Sequence, residues 1–185
     1  FTADTVFAKS YFTGDQMDAY FGAGTLSRAL MWLVGPLAAV MFPRIVHSAA
    51  KAEESDLMRV VLLGTLILAV GGALGLWIVG PFVVKLIYPA RYAAQAITLL
   101  SWYAWAMVPL ALANVLLNNL LARGFFRVVP ALIILAAGYT FALTRFHDSP
   151  LTVIKVLGSF NLLLLAVSAW YSQRAPSSEN NLAAT

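Results

Sequence analysis

Three ionisable residues stand out because each lies within or beside strongly apolar sequence. Asp4 and Lys9 belong to the short apolar segment 3–12, and Arg28 lies about three turns into the next segment, just ahead of an apolar run. A charge inside a bilayer costs ~2.5–3.5 kcal/mol on insertion scales, so such residues pair with one another or serve a function. These three residues are therefore the first candidates for a binding site within a membrane.

Arg28 has the most specific chemistry of the three. Its planar guanidinium can donate two parallel hydrogen bonds to a pyrophosphate or to an acidic sugar. In this interpretation Arg28 faces a cavity, and Asp4 is its counter-ion or a proton site. Two structural interpretations also stay open: Asp4 and Arg28 form a pair that only joins two helices, or Arg28 extends to the outer interface. Lys9 either lines the same cavity or lies at that interface.

A polar face also runs along the predicted helix 94–121. Tyr103, Met107, Asn114 and Asn118 fall on one narrow face when residues are placed at 100° intervals. Amides on one face of a spanning helix either line a cavity or hydrogen-bond to a neighbouring helix. Tyr103, Asn114 and Asn118 are therefore further candidate binding residues.

The sequence contains no recognisable catalytic motif. It has no cysteine, and its two histidines, His47 and His147, fall in separate predicted loops. The HExxH, GxSxG and Walker signatures of metalloproteases, serine hydrolases and ATPases are not found. We therefore expect no enzymatic activity, no cofactor, no metal site and no nucleic-acid partner.

The elements that carry the candidate residues are predicted to be membrane-spanning helices. Of the 185 residues, 61% are hydrophobic and 11% are charged, whereas soluble domains have about 25% charged residues. The apolar residues form long blocks, and ~20 apolar helical residues cross a bilayer core of ~30 Å. The expected fold class is an all-α integral membrane protein built as a bundle of transmembrane helices.

Turn signals divide the chain into helical segments and a tail. The segment 1–12 is half a span, and we interpret it as a transmembrane helix cut by the start of the chain. Pro36 and Pro109 should kink their helices, and the pair Gly71 and Gly75 should allow close helix packing. Five complete spans are expected within 13–172, at residues 17–46, 57–87, 94–121, 128–146 and 151–171. Residues 173–185 are expected to form a disordered cytoplasmic tail.

Lysine and arginine residues in the short loops predict the orientation of the chain. One set of connections holds six of them and the alternate set holds three. Because the richer side is normally cytoplasmic, that set and the C-terminus should face the cytoplasm. The six are Arg44, Lys51, Arg59, Arg123, Arg127 and Arg174, and the three are Lys85, Arg91 and Arg145.

Several stretches together have the layout of one transporter family. They are ADTVFAKSYF (3–12), AYFGAGTLSRAL (19–30), MFPR (41–44), IYPARYA (87–93) and NVLLNNLLARG (114–124). The pattern resembles the middle of the polysaccharide and O-antigen flippases, which belong to the multidrug/oligosaccharidyl-lipid/polysaccharide exporter superfamily. The resemblance covers residues 1–171, and Asp4, Arg28, Pro43, Arg44 and the Arg123-Gly124 pair carry most of it.

The resemblance implies a fold and a function. The whole protein would have two pseudo-symmetric lobes, and this chain would be most of the second lobe. It would move lipid-linked oligosaccharide or polysaccharide precursors to the outer leaflet of the bacterial inner membrane by alternating access. Its partners would be a lipid-linked glycan of the undecaprenyl-pyrophosphate type, membrane lipids and the N-terminal lobe of the same protein. A binding site near the midplane, between repeats, is common in such transporters.

Other functions stay open at this point. One is a cation-coupled multidrug antiporter of the same superfamily, and another is a flippase for the peptidoglycan precursor. An antiporter needs acidic residues in its cavity, whereas here Asp4 stands against Arg28 and Lys9, a balance that favours an anionic substrate. A membrane-embedded glycosyltransferase would need catalytic carboxylates or histidines and usually a long outer loop, and every predicted loop is short. A scaffold without transport activity is the remaining alternative.

Overall fold

The computed structural model describes the backbone of residues 3–49 and 54–174 and the side chains of residues 3–35 and 58–174. Most of these residues are helical, and no strand occurs among them. The prediction of an all-α fold is therefore confirmed. The elements are α1 (Ala3–Tyr11), α2 (Asp15–Ala49), α3 (Glu54–Ile87), α4 (Ala90–Ala122), a 3-10 turn (Phe126–Val128), α5 (Val129–Arg145) and α6 (Pro150–Arg174).

Four helices of the described part are long and apolar enough to cross a membrane. They are Met58–Ile87, Ala90–Ala122, Phe126–Arg145 and Pro150–Arg174. The fifth predicted span, 17–46, lies within the single helix α2. Its side chains from residue 36 onward, with the predicted kink at Pro36, lie outside the described residues, and so does the predicted tail after residue 174.

Glycine and proline residues mark the turns between these helices. Gly14, between α1 and α2, and Gly124, after α4, have φ angles of 59° and 69°. Residues with a Cβ rarely adopt this left-handed conformation, so glycine suits both turns. Pro89 precedes α4 and Pro150 is the first residue of α6, where the missing amide donor costs no helical hydrogen bond. The helices therefore fold back on one another through short connections.

Helix α4 is the centre of the bundle. It packs against α2, α3 and α6, whereas α5 packs mainly against α6. Small residues on α4, including the fully buried Ala96, Ala104 and Ala113, let neighbouring helices approach closely. Because α5 packs mainly against α6 and not against α4, a space remains between α4 and α5.

The glycines of α3 pack differently from the prediction. Gly71 is exposed and Gly75 is half-buried, and a Cβ added to either would meet no described atom within 4 Å. Close approach occurs instead at Gly72, against a leucine of α2, and at Gly80, against a leucine of α4. Within the described residues the close contacts of α3 are therefore made at Gly72 and Gly80 rather than at the predicted pair, because the rotation of α3 in the bundle decides which glycines face a neighbour.

Apart from the Asp4–Arg28 pair, the arginines of the described part lie at the two ends of the bundle, in the grouping that the loops predict. Arg59 and Arg123 line one recess, which joins the start of α3 to the ends of α4 and α6. At the opposite end Arg91 forms ion pairs with Asp15 and Asp18, with nitrogen–oxygen distances of 3.0 and 3.7 Å. Arg44 and Lys51 of the predicted set lie outside the described side chains. Which end faces the cytoplasm stays a prediction.

Candidate functional site

Asp4, Arg28 and Tyr103 meet inside the bundle, far from either end. Arg28 and Tyr103 each lie thirteen residues beyond the first residue of α2 and α4, which corresponds to ~20 Å along each helix at 1.5 Å per residue. The turn at Gly14 folds α1 back against α2, and this brings Asp4 to the same depth. Three helices therefore contribute one polar side chain each to a common site.

The carboxylate of Asp4 is the centre of this cluster and is only 2% exposed. Nη2 of Arg28 lies 3.1 Å from Oδ1 and 2.9 Å from Oδ2 of Asp4. The hydroxyl of Tyr20 donates to Oδ2 at 2.8 Å, and the hydroxyl of Tyr103 donates to the same oxygen. A buried carboxylate is costly unless it is paired and hydrogen-bonded. One guanidinium and two phenols meet that requirement here.

The guanidinium of Arg28 is only partly occupied by this network. Nη2 also lies within hydrogen-bonding distance of the hydroxyls of Thr5 and Tyr103, so its two protons are shared among these acceptors, and Cζ lies 5.6 Å from the centre of the Tyr103 ring. Nε, in contrast, is buried and has no hydrogen-bond partner. An unsatisfied buried donor costs about 1–3 kcal/mol. A single nitrogen of the guanidinium, Nη2, thus holds Asp4, while the buried Nε is left unsatisfied.

Gly24, one turn before Arg28, makes room for the cluster. A Cβ at this position would lie 3.3 Å from Cε2 of Tyr103 and 3.5 Å from Nη1 of Arg28. The first distance is tighter than an ordinary van der Waals contact, so a side chain here would push the Tyr103 ring away. The close contact with the Tyr103 ring therefore explains why a glycine occupies position 24, and the sequence pattern does not reveal this contact.

A cavity of about 340 Å³ opens beside the ion pair, between α4, α5 and α6. Asp4 and Arg28 form part of its wall, and most of the remaining wall is apolar. Its volume falls in the range of small-molecule sites, ~300–1,000 Å³. The site therefore joins an ion pair to an apolar space. The apolar wall includes Met107 and Leu110 of α4, Leu132 and Leu135 of α5, and Leu157 and Phe160 of α6.

Two polar residues of the cavity wall were not predicted. Nδ2 of Asn161, which is 6% exposed, donates to the carbonyl of Ala106 at 2.8 Å. This carbonyl is next to that of Trp105, which Pro109 leaves without its helical donor. The hydroxyl of Tyr139 is buried and has no hydrogen-bond partner. A lone amide in an apolar helix was the available signal for Asn161, whereas nothing local distinguishes Tyr139.

Three of the binding residues that the sequence predicts lie outside the cluster and the cavity. Lys9 is exposed near the end of α1, away from the cluster. Asn114 and Asn118 are half-buried on α4 and do not line the cavity, although Leu110 and Leu117 of the same helix do. Met107, which belongs to the predicted face, does line the cavity, so the lining face of α4 overlaps the predicted face and is turned from it only toward Leu110 and Leu117. Of the predicted residues, the structure brings together Asp4, Arg28 and Tyr103.

Within residues 3–35 and 58–174 there is no group of three or more His, Cys, Asp or Glu side chains that could hold a metal ion. No family model, curated protein or solved structure matches the chain. The function is therefore argued from the cluster and its cavity.

Proposed function

We propose that this chain is part of a transporter that flips lipid-linked oligosaccharide or polysaccharide precursors across the bacterial inner membrane by alternating access. The observation that supports this proposal best is the Asp4–Arg28 pair at the edge of an apolar cavity inside the bundle. A prenyl pyrophosphate has the matching chemistry, because it joins an anionic head to a long apolar chain. The resemblance to the polysaccharide flippases agrees with this substrate class.

In the proposed mechanism Arg28 compensates the charge of the pyrophosphate. The Arg28 side chain is 21% exposed and lines the cavity, so a phosphate oxygen can approach the guanidinium from that side. Charge-assisted hydrogen bonds contribute ~1.5–3 kcal/mol each. Asp4 holds the guanidinium in place when no substrate is bound, and Tyr20 and Tyr103 hold Asp4.

The same geometry disfavours a cation-coupled antiporter. A cationic substrate would need a free carboxylate, but the oxygens of Asp4 already accept hydrogen bonds from Arg28, Tyr20 and Tyr103. Binding a cation there would require displacement of the arginine. A flippase for the peptidoglycan precursor remains the alternative, because its substrate has the same pyrophosphate and prenyl chain.

The assembly and the orientation are part of the proposal. An N-terminal lobe would cover the face of this lobe and complete the substrate path, as the resemblance implies. The end with the larger number of Lys and Arg would face the cytoplasm, so that the C-terminus is cytoplasmic. The anionic head would then travel between the two ends past Arg28.

A reconstitution experiment tests the proposal. The natural protein is placed in vesicles that contain a polyprenyl-pyrophosphate oligosaccharide, and a membrane-impermeant glycosidase is added outside. Flipping should expose the inner pool of glycan, so that digestion proceeds beyond the outer leaflet. The matched control is the same oligosaccharide on a polyprenol without pyrophosphate, which should flip at least tenfold more slowly. Digestion no greater than in protein-free vesicles would contradict the proposal.

A further inference from the structure

Two recesses lie on either side of the last turn of α6, at the arginine-rich end of the bundle. The first recess, of about 570 Å³, lies between the start of α3 and the ends of α4 and α6. Arg59 and Arg123 line it together with the polar Ser172. Leu62 and Leu116 lie one and two turns further into their helices and form its apolar part. The recess therefore changes from cationic to apolar along the direction into the bundle.

The second recess, of about 560 Å³, joins aromatic side chains to two further arginines. Phe125, Arg127, Trp170, Tyr171 and Arg174 line it. The guanidinium of Arg174 lies 4.0 Å from the centre of the Trp170 ring, and Tyr171 packs between Trp170 and Phe125, with ring-centre distances of 4.8 and 6.2 Å. Trp and Tyr are enriched at the level of lipid headgroups, where an apolar body and a polar edge are both satisfied.

The two ends of the bundle differ in how their cations are balanced. At the opposite end Arg91 is neutralised by Asp15 and Asp18. At this end the charged side chains among the described residues are all arginines: Arg59, Arg123, Arg127 and Arg174. The acidic residues of the stretch 53–56 have side chains outside the described part. Counted along the sequence, the segments on this side carry six Lys and Arg against four acidic residues, Glu53, Glu54, Asp56 and Glu179, so a net positive charge remains that suits an anion.

We infer that these two recesses bind the headgroups of anionic glycerophospholipids. The guanidinium groups face the phosphodiester, for which their planar arrangement of donors is well suited. The leucines of the first recess and the aromatic rings of the second contact the glycerol and the first part of the acyl chains. A soluble phosphate would use the arginines but leave this apolar surface without a partner. Basic pockets between transmembrane helices are known to hold such headgroups. The inference requires only spanning helices and does not depend on the proposed transport function.

Lipid binding to the purified natural protein tests the inference. The protein in a neutral detergent is titrated separately with phosphatidylglycerol, phosphatidylcholine and inorganic phosphate, and bound lipid is counted by native mass spectrometry. Phosphatidylglycerol should bind at least tenfold more tightly than phosphatidylcholine. The double variant Arg127→Gln with Arg174→Gln should weaken phosphatidylglycerol binding by about fivefold for each arginine, or ~25-fold together.

Arg145→Gln is the matched control. Arg145 is exposed at the opposite end of the bundle and also lies over an aromatic ring, 5.6 Å from the centre of Phe141. Its replacement should leave the lipid affinity unchanged. If the double glutamine variant does not fold, the double variant Arg127→Lys with Arg174→Lys replaces it. Lysine keeps the charge but lacks the two parallel donors of the guanidinium, so binding should weaken several-fold. Equal affinity for phosphatidylcholine, equal affinity for inorganic phosphate, or an equal loss in Arg145→Gln would each overturn the inference.

Discussion

Asp4 and Arg28, twenty-four residues apart in the chain, form an ion pair in which Oδ2 and Nη2 are 2.9 Å apart. The pair ties the short helix α1 to α2 inside the bundle and also forms part of the cavity wall. Removing one partner of a buried pair leaves an uncompensated charge, which costs ~3–5 kcal/mol in fully buried cases. Because Arg28 is 21% exposed, the cost here should lie below that range. A structural role and a binding role for Arg28 are therefore compatible, and mutations are needed to separate them.

Substitutions at Arg28 separate substrate binding from ion pairing. Arg28→Ala should lower the flipping of a prenyl-pyrophosphate glycan at least tenfold, because one lost charge-assisted hydrogen bond is worth ~1.5–3 kcal/mol. Arg28→Lys should retain part of the activity, since lysine keeps the charge but cannot donate two parallel hydrogen bonds. The double variant with Asp4→Ala should restore the protein level but not transport. Flipping assays and immunoblots measure both quantities, and recovered transport in the double variant would reduce Arg28 to a packing role.

The tyrosines of the cluster should differ in their contribution to stability. Tyr103→Phe removes a hydroxyl that donates to Asp4 and accepts from Arg28, so it should lower the free energy of unfolding by about 1–3 kcal/mol. Tyr20→Phe removes one donor and should cost less. Tyr139→Phe is the control, because the Tyr139 hydroxyl has no partner, and its stability should be unchanged or slightly higher. Thermal unfolding in detergent gives the order, and equal losses in all three variants would contradict it.

Glycine substitutions test the packing face of α3. Gly72→Ile should destabilise the protein by about 1–3 kcal/mol, because the position where its Cβ would lie is already occupied by a leucine side chain of α2. Gly71→Ile should be nearly neutral, since Gly71 is exposed and a Cβ there meets no described atom within 4 Å. The two variants differ by one position in the same helix, so helix propensity cancels in the comparison. A larger loss for Gly71→Ile would show that another surface covers that face.

Asn161 and Asn118 should differ in their contribution to stability and transport, because only Asn161 lines the cavity. Asn161→Leu removes the interhelical hydrogen bond to the Ala106 carbonyl, and such bonds contribute ~0.6 kcal/mol on average and up to ~1.7 kcal/mol in membranes. Asn118→Leu, on the half-buried face of α4 outside the cavity, is the control. We expect the melting temperature and the transport rate to fall for Asn161→Leu and to change little for Asn118→Leu. Loss of transport in Asn118→Leu alone would favour the amide face that the sequence predicts.

Single cysteines test the orientation in this cysteine-free chain. Ser55→Cys and Ser178→Cys lie on the side with more Lys and Arg, so an impermeant thiol reagent should label them only after cells are permeabilised. Asp148→Cys, in the exposed turn between α5 and α6, should be labelled in intact cells. Labelling of residue 55 or 178 in intact cells would show that the chain has the opposite orientation.

The sequence by itself determined the class of fold and the positions at which charge had to be explained. A bilayer leaves no water for the backbone, so each long apolar block had to become a helix, and block length decides this locally. Asp4 and Arg28 were identifiable because a charge in such a block is costly wherever the helix packs. The separation of the charges into two ends also follows from counting along the chain.

Only the tertiary structure decided which faces meet. Helix α3 carries large apolar side chains on its exposed side, such as Ile67 and Ile78, as well as in its contacts, so no polar stripe marks its buried face as it would in a soluble helix. The choice of Gly72 over Gly71, the place of Asn161 and Tyr139 at the cavity, and the meeting of Asp4 with Arg28 all depend on how the helices are rotated. Rotation is set by the fit between helices that are distant in sequence, and this fit leaves no trace in local hydropathy.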